Sequence, residues 1–255
     1  MPNTRPDLIF SEEGTCQACL NYELRQNIDW EDRFRELKAL AKNYKECVIG
    51  VSGGKDSYYL VYLFKEVLKM NPSLVKINDG FSTTEAGRHN LRNLASRFGC
   101  SLIECTLRHS YLKSVLGYEY LKEITRRGFE EKAFFPHIDY DIYTIPSTLA
   151  ESVGLAVFGE NPAYEYGLSM YDNPLVDYEA FRGTEAWIGQ HLKAALHFMP
   201  KVRAIYTSFY VPWSGHEHYE LALKYGFKDL SKEWAREGHI ESYDSIDSVG
   251  WLVSP

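Results

Sequence analysis

Long apolar runs, a basic charge balance and a dense set of cysteines are all missing from this chain, and each absence removes a class of function. No stretch approaches the roughly 18 consecutive apolar residues that a membrane-spanning helix needs, and the N-terminus lacks a basic segment followed by an apolar one. No membrane partner is therefore expected, and the expected compartment is the cytoplasm. The 28 Lys and Arg are outnumbered by 35 Asp and Glu, a formal net charge of −7. That balance gives no general electrostatic capture of nucleic acid, so a small-molecule or protein substrate is favoured. Only five cysteines occur in 255 residues, at Cys16, Cys19, Cys47, Cys100 and Cys105, too scattered for a disulfide framework. Reduced thiols are expected.

The 45% of hydrophobic residues is enough for one large core, or one core and a small appendage. Residues 1–29 read as an irregular arm carrying the Cys16-x-x-Cys19 pair, and 30–255 as one main domain. Asp29 is a candidate N-cap for a helix running to about Tyr44, with Glu31 and Asp32 in its first turn and Trp30, Phe34, Leu37, Leu40 and Ala41 on one face. Strands are then expected over 47–51, 73–77, 101–106, 155–159 and 201–210, and helices over 56–69, 84–98, 109–127, about 141–153, 184–198 and 216–225. Short apolar strands alternating with amphipathic stretches predict an α/β fold: a doubly wound, mostly parallel sheet with helices on both faces. Such sheets bind ligands beyond the carboxyl ends of their strands, where strand order reverses.

The first expected strand runs into Gly50-Val51-Ser52-Gly53-Gly54-Lys55-Asp56-Ser57 and then directly into a helical pattern. A strand that turns through two glycines into a helix aims free N–H groups and the positive end of a helix dipole at one point, which suits a phosphate chain. It is not the Walker loop, which needs Gly, four residues, then Gly-Lys-Ser/Thr: Ile49 stands five before Gly54, and Asp56 follows Lys55. Ser52-Gly53-Gly54-Lys55-Asp56-Ser57 instead resembles the PP-loop of the ATP pyrophosphatases, which have the adenine nucleotide alpha hydrolase-like fold. The resemblance implies that Ser52, Gly53, Gly54, Lys55, Asp56 and Ser57 hold the β,γ-phosphates of ATP while the acceptor attacks the α-phosphorus, with AMP and pyrophosphate as products.

Other strand ends supply further candidates. Asn78-Asp79-Gly80-Phe81 leaves the second strand, where Asn78 or Phe81 either meets the nucleotide or forms an ordinary turn before a Thr83/Thr84 cap. Gly159-Glu160-Asn161 leaves the fourth, followed by Glu165. A carboxylate and a carboxamide there are expected to face a cleft, with Glu160 and Glu165 as candidate Mg²⁺ ligands and Asn161 orienting the substrate amide; the plainer reading has Glu160 capping a helix or pairing with an arginine. Cys16 and Cys19 have zinc-ligand spacing but no second Cys-x-x-Cys, so half a Zn²⁺ site and two free thiols both remain open. Cys100 and Cys105 read as buried, inert thiols rather than sulfur carriers.

Taken together, Phe10-Ser11-Glu12-Glu13-Gly14-Thr15-Cys16-Gln17-Ala18-Cys19, the loop with Tyr58-Tyr59, Asn78 to Ser82 with Thr84-Glu85-Ala86-Gly87 and His89-Asn90-Leu91-Arg92-Asn93-Leu94, Gly159-Glu160-Asn161 with Glu165-Tyr166-Gly167, and Tyr219-Glu220-Leu221-Ala222 with Lys224-Tyr225-Gly226-Phe227 resemble the N-acetyl sugar amidotransferases of lipopolysaccharide O-antigen, pseudaminic and legionaminic acid pathways. That resemblance implies conversion of an acetamido group on a nucleotide-linked sugar to an acetamidino group, using ATP and Mg²⁺, with Lys55, Asp56, Glu160 and Asn161 as catalytic residues. It also implies separate glutaminase and cyclase-like subunits to supply ammonia. Against the family pattern the chain is expected to be shortened at both ends. A tRNA sulfur-transferase using the same loop, and an ATP-binding protein without catalysis, are the alternatives.

Overall fold

The computed structural model describes residues 10–78, 85–106, 143, 145–159, 175 and 201–229. Its centre is a five-stranded, wholly parallel sheet built from β1 (Glu46–Gly50), β2 (Asn71–Asn78), β3 (Ser101–Thr106), β4 (Leu155–Phe158) and β5 (Arg203–Tyr206), in the order β3-β2-β1-β4-β5. The chain builds outward from β1 to β3 and then returns to add β4 on the other side of β1. Strand order therefore reverses between β1 and β4, the position at which sheets of this kind leave a crevice at their carboxyl edge.

Period-two alternation explains why the sheet is covered twice. Cys47 and Ile49 of β1 join one buried cluster with Leu74, Leu155, Val157 and Ile205, while Val48 between them joins another with Val75, Ala156, Phe158 and Ala204. The first face is closed by four helices: α2 (Trp30–Ala41) contributes Leu37 and Leu40, α3 (Lys55–Tyr62) Tyr58 and Leu60, α4 (Glu85–Phe98) Leu91 and Leu94, and α5 (Gly215–Lys224) Ala222. The second is packed by Tyr143 and Ala150, the latter opening the short 3₁₀ turn Ala150–Ser152. Each fully buried Leu, Ile or Val side chain here contributes roughly 1.5–3 kcal/mol.

Several expectations change in detail. Within the expected arm, Gln17–Arg25 forms the additional helix α1, which the weak apolar pattern of that stretch did not reveal. The helix after the loop continues past Tyr62 as one widened turn, Leu63–Val67, in which Leu68 N–H donates to Leu63 O at 2.9 Å. The fifth strand is shorter than its apolar run, because Thr207–Phe209 turns into a 3₁₀ helix. The helices expected at 109–127 and 184–198 lie outside the described residues.

The Asp29 cap forms as expected: its side-chain oxygen accepts from Asp32 N–H at 2.9 Å. Asp29→Ala is expected to cost about 1 kcal/mol, read as a lower denaturant midpoint at unchanged slope, with Asp29→Asn retaining most of the stability.

Candidate functional site

The loop leaving β1 sits at the reversal point. Val51 N–H still follows the sheet ladder, donating to Val75 O at 2.9 Å, and the chain then turns through Ser52, Gly53 and Gly54 into α3. Gly53 has φ +92°, and a Cβ there would stand 3.3 Å from Gly87 O and 3.4 Å from Leu91 N of α4, so both conformation and space require glycine. Gly54 is the N-cap of α3 and offers no side chain to the helix end.

Two hydroxyls hold the loop in shape. Ser57 Oγ accepts from Ser52 N–H at 3.0 Å and Gly53 N–H at 3.4 Å, Ser52 Oγ accepts from Gly54 N–H at 3.1 Å, and the two hydroxyl oxygens are 3.3 Å apart. The bond from Gly53 N–H is long for an N–H···O contact. A phosphate oxygen offers the same donors shorter, charge-assisted bonds and the positive end of α3, so the arrangement is preshaped for an anion.

Lys55, the first residue of α3, is buried, and its Nζ lies 3.1 Å from Asp56 Oδ2. The other carboxylate oxygen, Asp56 Oδ1, accepts from His218 Nδ1 of α5 at 2.5 Å. A carboxylate can only accept, so Nδ1 carries the proton. Burial alone would push the Asp56 carboxyl up, but the His218 hydrogen bond and the Lys55 and His218 charges together hold it below its ordinary value. Its contribution to stability is accordingly complete above the ordinary carboxylate range and lost as pH falls through the lowered native value.

His218 is only 1% exposed. Its ring stacks on Tyr59 at 3.9 Å between centroids and 15° between planes, and Trp213 meets it edge-on at 4.6 Å and 89°. Burial pushes the Tyr59 phenol up to about 12, so the ring stacked on His218 stays neutral. Gly159 packs against the same helix: a Cβ there would lie 2.8 Å from Leu60 Cδ1 and 3.1 Å from Trp213 Cη2. A second set of bonds ties α3, α4 and the turn after α5. Tyr58 OH donates to Asn90 O at 2.9 Å, Asn93 Nδ2 donates to Tyr58 OH at 2.8 Å and to Tyr225 O at 2.7 Å, and Asn90 exchanges bonds of 2.8 and 2.7 Å with the Lys228 backbone.

Of the residues singled out from the sequence, Ser52, Gly53, Gly54, Lys55, Asp56 and Ser57 are brought together in one turn, and Gly159 stands at the end of the adjacent β4. Asn78 ends β2 on the carboxyl edge, paired in register with Thr106. Phe81, Glu160, Asn161 and Glu165 lie outside the described residues. The Cys16 and Cys19 sulfurs are 3.2 Å apart, and among the described residues no group of three or more His, Cys, Asp or Glu side chains gathers to hold a metal. The Cys19 contact draws the Cys16 thiol down, while Cys16 pushes Cys19 up. Cys100 and Cys105 are both half-buried rather than sealed in the core, because β3 is the edge strand of the described sheet; burial still raises the Cys100 thiol. Cys47, enclosed in the core, is pushed up to about 12.

His218 is the residue that sequence reading missed. Its local signal is a histidine four residues after the Ser214 cap and four before buried Ala222, on the apolar face of α5. That spacing reads as core, and nothing local points to Asp56, 162 residues away.

No known protein-family model matches the chain. No curated protein sequence matches it either. Among solved structures, the U34-tRNA thiolase NcsA from Methanococcus maripaludis with its 4Fe-4S cluster is similar at a TM-score of 0.47 and 17% identity, over 94% of this chain and 77% of that one. The predicted subunit of tRNA methyltransferase from Methanocaldococcus jannaschii is similar at 0.41 and 15%, over 70% of this chain and 74% of that one. Likeness at this level carries no information about activity. Among the described residues, no helix is long and apolar enough to cross a membrane.

Proposed function

We propose that this protein is an adenylating ATP pyrophosphatase: it binds ATP by the β,γ-phosphates, directs an acceptor oxygen at the α-phosphorus, and releases AMP and pyrophosphate. The observation that carries this reading is the Ser52–Ser57 turn at the strand-order reversal, with its N–H groups and two hydroxyls converging at the start of α3 and a buried lysine beside them.

The residues fit that task. Gly53 and Gly54 N–H and the Ser52 and Ser57 hydroxyls are donors for the outer phosphate oxygens, and Lys55 supplies the neutralising charge. Held by its outer phosphates, the nucleotide is cleaved at the innermost one, with pyrophosphate as leaving group. Glu160, with Glu165 beside it, would hold Mg²⁺, which would supply further neutralisation of the phosphate chain, while Asp56 stays ionised between Lys55 and His218. Alignment and charge neutralisation supply the rate, because the acceptor is a weak nucleophile.

For the acceptor we propose the acetamido group of a nucleotide-linked N-acetyl sugar. Its carbonyl oxygen attacks the α-phosphorus, ammonia then adds to the activated carbon, and AMP leaves with the oxygen to give the acetamidino product. Support comes from the resemblance of sequence motifs between Phe10 and Phe227 to those of the N-acetyl sugar amidotransferases. Ammonia from a glutaminase partner through a cyclase-like subunit, in the cytoplasm, belongs to the same reading. A second acceptor, a tRNA base activated for sulfur transfer, draws support from Cys105, half-buried next to the carboxyl end of β3 on the same edge of the sheet as the loop.

The test is incubation with ATP, Mg²⁺ and ammonium against a panel of nucleotide-linked N-acetyl sugars, and separately with tRNA and a sulfide source, following AMP. Sugar-dependent AMP is the expected result. ADP and orthophosphate in place of AMP would overturn the adenylating reading, and AMP formed only with tRNA would move the acceptor to the second one.

A further inference from the structure

We infer that His218 is a positioning residue for the adenylation step: through Asp56 it fixes the Lys55 ammonium group against the phosphate loop. The inference rests on the proposed reaction and names a residue that reading does not contain. A lysine has a long, rotatable stem, and a charge that is to meet a phosphate in one geometry must be held before the nucleotide arrives. Lys55 Nζ is held by Asp56 Oδ2 at 3.1 Å, but Asp56 is itself about one-third exposed and would be free to swing if that were its one anchor. His218 removes that freedom. It donates to the opposite carboxylate oxygen at 2.5 Å, so the carboxylate is gripped at both ends.

The imidazole is in turn immobilised by packing. It is sandwiched against Tyr59, one turn along α3 from Lys55, and abutted by Trp213, and the two aromatic rings meet each other edge-on at 5.7 Å and 90°. Lys55, Asp56 and Tyr59 belong to α3, whereas His218 is delivered by α5 from the far side of the chain. A purely structural histidine would need its ring packed, not its Nδ1–H spent on a carboxylate that holds the loop lysine. The relay therefore makes the loop's charge geometry depend on α5 being seated.

Two variants separate packing from positioning. His218→Phe keeps an aromatic ring between Tyr59 and Trp213 but has no donor, and His218→Asn loses ring area but can place an N–H near the Nδ1 position. With the acceptor that supports AMP formation, His218→Phe is expected to lower kcat about 10- to 100-fold at an ATP KM within about threefold of the parent, as a misaligned group would. His218→Asn is expected to recover most of that loss in spite of poorer packing. Because both residues act on Lys55 as one unit, Asp56→Asn combined with His218→Phe is expected to cost no more than Asp56→Asn alone. In the unreacted protein, the His218 Nδ1–H proton is expected as a far-downfield, exchange-protected nitrogen-bound resonance that disappears in Asp56→Ala.

Parent-level kcat in His218→Phe, failure of His218→Asn to restore it, or fully additive losses in the double variant would each overturn the inference. So would absence of the Nδ1–H resonance, a readout that needs no acceptor. If the parent forms no AMP with any acceptor, the proposed reaction fails and the resonance alone decides whether the His218–Asp56 link exists.

Discussion

Lys55→Ala is expected to abolish measurable AMP formation while the protein remains folded. Deleting a single preorganised charge or donor at a transition state costs about 100- to 1,000-fold, and Lys55 is the one cation contributed by the loop itself. Its burial makes the loss harder for solvent to repair, because water has little access to the place the ammonium occupied. The fold should tolerate the change: Asp56 keeps its His218 partner, so the deletion does not leave that carboxylate isolated. With the Lys55 charge gone, one of the influences that lower the Asp56 carboxyl is removed, so its acid titration should move up toward the ordinary range. The stability Asp56 contributes would then begin to fade at a higher pH as the solution is acidified. Product analysis by chromatography and a thermal melt as a function of pH check the two halves. Undiminished turnover in the variant would remove Lys55 from the mechanism.

Gly53→Val is expected to disable nucleotide binding and to destabilise the protein together. At φ +92° a β-branched residue pays the left-handed penalty, of order 1–3 kcal/mol, before any contact is considered. The new Cβ then meets backbone, Gly87 O at 3.3 Å and Leu91 N at 3.4 Å, and helix backbone cannot rotate aside as a side-chain tip could. Relief requires the turn to move away from α4, which breaks the bonds from Ser52 and Gly53 N–H to Ser57 Oγ. An expected loss of about tenfold or more in ATP affinity, roughly 1.4 kcal/mol, follows from misplacing these donors. Gly14→Val is the control. Gly14 has φ +81° but nothing within 4 Å of its Cβ position, so it should show backbone strain with unchanged ATP affinity. Calorimetric titration with a non-hydrolysable ATP analogue distinguishes the pair; equal affinities in both variants would show that the turn does not hold the nucleotide.

Much of the architecture could be read from local patterns because local physics sets it. The β3 bounds at Ser101–Thr106 match, as do the Asp29 cap and the helix ending at Phe98 before Gly99, whose φ of +60° stops it. These depend on neighbours in the chain: a side-chain oxygen three residues from an N–H, a glycine that can turn left-handed, alternation across a pleat. Less legible was α1, whose polar sequence forms a helix whose last residue, Arg25, is buried and donates to Ser208 O at 3.4 Å. The widened turn after Tyr62 was also hidden, since a π turn and an α turn present nearly the same apolar spacing. Cys100 and Cys105 were read as core because their neighbours are apolar; their half-exposure follows from the lateral place of β3, which strand order decides.

By itself the sequence determined that a strand, a two-glycine turn and a helix would present Ser52 to Ser57 as an anion-binding loop, and that short apolar strands would pair in parallel, because backbone conformation and side-chain alternation are set within a few residues. Only the tertiary structure decided that this loop stands between β1 and β4 and that His218 closes on Asp56. Those two facts come from strand order and from the docking of α5 on α3, which depend on how separate apolar faces share one core, so that residues 162 positions apart meet with nothing in either neighbourhood to announce it.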